Sequence, residues 1–278
     1  MDIFIDGPAG KIDLRHKGLD AAPKQVVVLT QGANLSGQLG YDLSFDGRTD
    51  YSMMDALVAR GYGVVTFAVR GYRKSELNHS PLDVGTEQAI EDLCAVMDWV
   101  RDQGFATPHL LGWSWGGRIV GHYASRFPDR LDRLVLMDPA LGGGNKIPFV
   151  ENADWWQNTY EYFFNKLEAD LTDLDGRTQL ARQAEDTELN APNGIRVENE
   201  KGSVQVDPAA LRNPTLMLYG HAAAKQDYMQ GGAVREEFFG RIDVTDKALV
   251  IVPGGGDYAH LQKPRQRMFA VIADFLGA

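Results

Sequence analysis

Two kinds of hydrophobic pattern alternate along this chain. Val26-Val27-Val28-Leu29-Thr30 is a short β-branched run that closes on Gln31-Gly32. Val64 to Val69 is a second, followed by Arg70-Gly71-Tyr72. Leu110-Leu111, Leu134 to Met137, Thr215 to Tyr219 and Ala248 to Val252 are the others. Short apolar runs bounded by Gly or polar residues read as strands buried on both faces. Between them the spacing turns helical. Tyr51 to Arg60 stops at Gly61, and Thr86 to Arg101 carries a stripe at Ile90, Leu93, Val96 or Met97, and Val100. Ile119 to Phe127 stops at Pro128, and a last helix runs from about Pro264 to Leu276. Strands alternating with helices predict an α/β fold with a mostly parallel central sheet flanked by helices.

The alternation breaks between Gly142 and Asn213, where no clear apolar strand is visible. Six aromatics (Trp155, Trp156, Tyr160, Tyr162, Phe163 and Phe164) fall within ten residues there, before an acidic stretch through Asp186. Exposed aromatic clusters are costly unless they cover something. Residues 142–213 are therefore expected to form an inserted helical lid over the carboxyl ends of the strands, with 1–141 and 214–278 forming the core.

Composition narrows the class. The 278 residues are 44% hydrophobic, enough for a sizeable core, and carry a net charge of −10. That sign argues against nucleic acid and against anionic membrane surfaces as partners, and for a small-molecule partner. Cys94 is the one cysteine, so there is no disulfide framework and no cysteine metal cluster; it reads as a small core residue on a helix. The acidic start Met1-Asp2-Ile3-Phe4-Ile5-Asp6 does not resemble a secretion signal, and no apolar run approaches membrane-spanning length. A cytoplasmic protein is expected. The acidic residues show no metal-ligand spacing, and no cofactor is implied.

The candidate chemistry centres on His109-Leu110-Leu111-Gly112-Trp113-Ser114-Trp115-Gly116-Gly117. An apolar strand, a G-x-S-x-G turn and a helix start form a nucleophile elbow. The turn lifts Ser114 clear of the sheet, and the flanking glycines leave room for it. The N–H of Trp115 points to where a carbonyl oxygen would become an oxyanion. The loop Gln31-Gly32-Ala33-Asn34, just past the first strand, is expected to supply the second donor from Ala33, with Asn34 in reach of substrate. His260 follows Pro253-Gly254-Gly255-Gly256-Asp257-Tyr258-Ala259 after the last strand, where an imidazole could reach back to take the Ser114 proton.

Together, Gln31-Gly32, Arg70-Gly71-Tyr72-Arg73-Lys74-Ser75, Gly112-Trp113-Ser114-Trp115-Gly116 and His260 resemble the α/β-hydrolase superfamily over nearly the whole chain, and within it lid-bearing serine esterases with a G-W-S-W-G elbow. The resemblance implies a Ser-His-acid triad. Two departures stand out. Gln31 replaces the usual His before the oxyanion residue, which a backbone donor should tolerate. In the G-x-x-D turn that usually bears the acid, Tyr219-Gly220-His221-Ala222-Ala223 has Ala223 in place of Asp. Three alternatives follow: Asp138 after Leu134-Val135-Leu136-Met137, where haloalkane dehalogenases of this layout carry their acid; Asp227, further along the Ala223 turn; or no acid.

The expected activity is hydrolysis of a carboxylic ester through an acyl-enzyme. Trp113, Trp155, Trp156, Tyr160, Phe163 and Phe164 are expected to line a site for a small apolar or aromatic substrate. C–C bond, lactone or amide hydrolysis uses the same machinery. A weakened ligand-binding relative that lost its acid at Ala223 is the other alternative.

Overall fold

The computed structural model describes residues 1–142, 153–223 and 232–277. The apolar runs become strands of one eight-stranded sheet: β1 (Asp2–Gly7), β2 (Gly10–Lys17), β3 (Val26–Thr30), β4 (Gly63–Phe67), β5 (His109–Trp113), β6 (Leu134–Met137), β9 (Thr215–Gly220) and β10 (Lys247–Val252). Two three-residue strands, β7 (Trp155–Gln157) and β8 (Asn190–Pro192), pair separately. The order in the large sheet is β1-β2-β4-β3-β5-β6-β9-β10. From β4 to β10 every neighbouring pair is parallel; β1–β2 and β2–β4 are antiparallel.

The helices are α1 (Gly37–Tyr41), α2 (Met53–Val58), α3 (Thr86–Asp102), α4 (Trp115–Arg126), α5 (Tyr160–Lys166), α6 (Leu174–Glu188), α7 (Gly194–Lys201), α8 (Gly232–Gly240) and α9 (Arg265–Leu276). They cover both faces of the sheet. Because side chains alternate along a strand, β3 sends Val26 and Val28 into one core with Leu93, Val96, Ile119 and Tyr123 of α3 and α4. Its Val27 and Leu29 enter a second core with Met53, Leu57, Phe269 and Ile272 of α2 and α9. This two-sided burial is why the strands read as unbroken apolar runs.

Two elements depart from the expectation. The β1–β2 hairpin was not anticipated, because β1 buries only Ile5 and half-buries Ile3 among polar neighbours, so it lacks an apolar run. The stretch between β6 and β9 does contain strands, β7 and β8, but each is only three residues long, and they pair with each other outside the eight-stranded sheet. The remainder of that stretch is helical, through α5, α6 and α7.

The elbow depends on close backbone approach. A Cβ on Gly116 would lie 2.3 Å from the Thr30 carbonyl oxygen and 2.6 Å from that of Gln31. One on Gly112 would lie 2.2 Å from the Gly116 oxygen. These clashes are with backbone, which cannot step aside. Gly116→Ala is expected to destabilise the fold by about 2 kcal/mol or more, as overpacking of a tight core does. A thermal melt that leaves the midpoint unchanged would show that β3 and α4 can separate.

Candidate active site

Ser114 joins β5 to α4 with φ 55° and ψ −116°, a conformation costing a non-glycine residue about 1–3 kcal/mol. Three backbone hydrogen bonds hold it there. Its N–H donates to Met137 O (3.0 Å), while its carbonyl accepts from Gly117 N (2.9 Å) and Ala140 N (2.9 Å). The side chain is left partly exposed at the carboxyl ends of β5 and β6. Trp115 is the first residue of α4, so its N–H belongs to the helix-start donors that have no acceptor within the helix. Its indole is buried and donates to Thr86 Oγ1 (3.1 Å), which anchors the turn from behind.

The loop after β3 is held as firmly. Gln31 Oε1 accepts from Val69 N (2.9 Å), and the Tyr72 hydroxyl donates to Ala33 O (2.8 Å). Asn34 ties this loop to the segment between β6 and β9: its amide donates to the Tyr162 hydroxyl (2.9 Å), and its Oδ1 accepts from Arg196 Nη2 (2.9 Å). The Asn158 amide donates to Asn34 O (2.6 Å). A buried carboxylate, Glu188, accepts from Ser36 N (2.7 Å) and from the Ser36 hydroxyl. Burial pushes its pKa up, opposed by these bonds.

His260 sits apart from this hydrogen-bonded frame. It is fully buried, with its ring 4.5 Å from that of Trp113 and 5.9 Å from that of Tyr41. Among the described residues neither ring nitrogen has a hydrogen-bond partner, and the structure joins the ring neither to Ser114 nor to Asp138. Desolvation pushes its pKa down to about 3, weakly opposed by the Gly40 backbone. The imidazole is therefore neutral at physiological pH.

Asp138 ends β6 with φ 41° and is also fully buried. Its Oδ1 accepts from Gly220 N (3.0 Å) and lies 3.9 Å from Arg235 Nη1, while Oδ2 has no partner. Burial pushes its pKa well up, against the pull of Arg235. Half of this carboxylate thus fastens β6 to β9 and α8. Ala223 is buried, and Asp227 lies outside the described residues.

The aromatic residues divide. Trp113 is buried, donates its indole N–H to Asp257 O (2.8 Å) and packs edge-on to Tyr258. Its side chain points into the second core, behind the turn at Ser114. Phe163 is buried in that core too. Tyr160 stacks on Phe164 at 5.5 Å, and Arg177 covers the Phe164 ring at 4.2 Å. Trp155 is part of β7, opposite Pro192. Trp156 lies edge-on to Tyr162 at 5.1 Å and beneath the Arg196 guanidinium at 4.1 Å. Arg196 and Asn158 meet the loop after β3 without having been singled out in the sequence, and Tyr162 meets it as one of the six aromatics. Arg196 gave no signal, because α7 is polar and lacks a motif.

Among the described residues no cluster of His, Cys, Asp and Glu could hold a metal ion, and no helix is long and apolar enough to cross a membrane.

Residues 26–264 match the alpha/beta hydrolase fold family, and the chain belongs to it. A 2-hydroxy-6-oxononadienedioate/2-hydroxy-6-oxononatrienedioate hydrolase of Paraburkholderia phymatum is 25% identical over 199 residues, covering 65% of this chain and 65% of that protein. The human (lyso)-N-acylphosphatidylethanolamine lipase is 34% identical over 87 residues, which is 31% of this chain and 25% of the lipase. The match therefore spans less than two thirds of either relative. Among solved structures, the enol-lactonase of Burkholderia xenovorans superposes with a TM-score of 0.72 at 17% identity, covering 99% of this chain and 100% of the other. A thermophilic esterase of Thermogutta terrifontis gives 0.67 at 18%, covering 99% and 98%.

Two predictions follow from the buried pair. Asp138→Ala leaves the Gly220 N–H and the Arg235 guanidinium unpaired, so the melt should show a loss of about 3 kcal/mol; an unchanged midpoint would deny Asp138 its structural role. For His260, the unfolded ring takes up a proton below its ordinary value of 6.5, while the folded ring does so only near 3. Acid therefore favours unfolding through this residue, by about 1.4 kcal/mol per pH unit and about 2 kcal/mol by pH 5. Between pH 7 and 5 the native chain should lose more stability than His260→Leu, and the His260 Hε1 resonance should not titrate.

Proposed function

We propose that this chain is a serine hydrolase that cleaves a carboxylic ester of a small substrate with an apolar or aromatic body. The observation that carries the reading is Ser114: a strained, partly exposed serine between a strand and a helix start, beside a second backbone donor loop. Ser114 Oγ attacks the carbonyl, and the N–H groups of Trp115 and Ala33 hold the oxyanion. His260 is the base and then the acid. Its neutral ring is the form that accepts a proton, and it must turn toward Ser114 as substrate binds; catalytic hydrogen bonds commonly tighten only in the complex. Asp138 Oδ2 and both His260 nitrogens are buried without partners, so a closure joining them would satisfy two orphaned groups. Asp227 is the alternative acid. The segment at residues 142–213 acts as a lid, docked through Asn34, with Trp156, Tyr160 and Phe164 toward the substrate side. The relatives include C–C bond hydrolases and a lactonase, so those bonds are the nearest alternatives for the same serine. The net charge of −10 fits a cytoplasmic protein with a small-molecule partner and none of nucleic acid or membrane.

A second reading is favoured by Ala223 and by the unpartnered imidazole: a weakened hydrolase that mainly holds its ligand. Loss of the triad acid costs about 10⁴-fold in rate yet spares binding.

A fluorophosphonate probe and p-nitrophenyl butyrate separate the two. Labelling and turnover that both vanish in Ser114→Ala are expected. Absence of labelling from a folded chain that still binds ligand would establish the second reading instead.

A further inference from the structure

Three arginines have side chains buried from solvent to within 1% of full burial: Arg118, Arg196 and Arg235. Arg118 faces Glu198 at 3.1 Å, and Arg235 faces Asp138 at 3.9 Å. Arg196 has no carboxylate within 4.0 Å among the described residues. Its Nη1 donates to Asn193 Oδ1 (3.2 Å) and its Nη2 to Asn34 Oδ1 (2.9 Å), both neutral acceptors. Its Nε–H is buried without any partner. A guanidinium has five N–H donors, and two are used here. Isolated buried charge is expensive, and proteins keep it where a counter-charge arrives.

We infer that Arg196 is the anchor for a carboxylate carried by the substrate, close to the scissile carbonyl. The inference rests on the reading of Ser114 as nucleophile and gives that site its substrate class. The position supports it. Asn34, which accepts from Arg196, directly follows Ala33, the expected oxyanion donor. Tyr72 itself donates to Ala33 O (2.8 Å), and Tyr162, which accepts from Asn34, lies edge-on to Trp156. The Trp156 ring at 4.1 Å holds the guanidinium plane. A planar fork held flat, with donors to spare, suits the two oxygens of a carboxylate. The substrate class is thus an ester, lactone or enol compound whose acyl part ends in a carboxylate a few bonds from the cleaved bond.

The opposing account is structural: Arg196 only fastens α7 to the loop after β3. Two measurements decide between them. In the first, the Ser114→Ala chain is titrated with glutarate and with glutaramide by calorimetry. Binding of the dianion and none of the diamide is expected; equal binding, or none of either, overturns the inference. The second compares kcat/KM for the mono-p-nitrophenyl ester of glutarate with that for p-nitrophenyl butyrate in the native chain, Arg196→Lys and Arg196→Met. The loss on the charged ester should exceed that on the neutral one by about 10- to 100-fold in Arg196→Met, the range of a charge-assisted pair, and by less in Arg196→Lys. Equal losses on both esters would make Arg196 a structural tie. If the native chain hydrolyses neither ester, the hydrolase reading fails while the calorimetry still decides the carboxylate site.

Discussion

The contact of α4 against the ends of β3 and β5 sets the geometry of everything around Ser114. Gly116 brings the helix start to within a Cβ's breadth of the Thr30 and Gln31 carbonyls, and Gly112 allows the turn to fold back on Gly116. That approach forces Ser114 into its strained φ. It also sets the N–H of Trp115 at the start of α4, beside the end of β3 from which the loop carrying Ala33 leaves. The strain is held by the Met137 and Ala140 backbone on one side and the Trp115 indole on the other. A site built on sheet and helix in this way is stiff, as electrostatic preorganisation requires.

Around this rigid centre the charged groups are arranged with unusual economy of partners. Glu188 is fully satisfied by Ser36, and Arg118 by Glu198 and Asn199. By contrast, among the described residues Asp138 Oδ2, both His260 ring nitrogens, Arg196 Nε and the three Arg235 guanidinium nitrogens are buried without hydrogen-bond partners. Away from a site, burial of unpaired polar groups is a pure loss.

The segment between β6 and β9 is fastened to the core along its length, through Asp173 to Tyr51 and Arg265, Glu188 to Ser36, and Glu198 to Thr86 and Arg118, as well as through Asn34. Asn34 touches Tyr162, Asn158 and Arg196 at once, so the loop that would hold the oxyanion is also the dock of the insertion. Movement of one is felt by the other. In this arrangement the loop after β3 is tied to that segment twice, through Asn34 and through Ser36.

The central strands, the elbow and the helices α3, α4 and α9 were legible in the sequence, because two-sided burial leaves unbroken apolar runs and the elbow leaves its glycines. Membership of the alpha/beta hydrolase fold family followed from those same residues. The hairpin of β1 and β2 was hidden by one-sided, edge burial, and β7 and β8 by their length. Where the side chains point was decided only in three dimensions. Trp113, adjacent to Ser114 in sequence, faces the core because successive residues on a strand point to opposite faces. Arg196, far from it along the chain, reaches the loop after β3, where its guanidinium donates to Asn34 Oδ1. Whether His260 meets an acid depends on the packing of Trp113, Tyr41 and the loop after β10, long-range contacts that no local pattern encodes. Local sequence specifies the periodicity and turn chemistry of each element; the burial of a charge depends on every element packed around it.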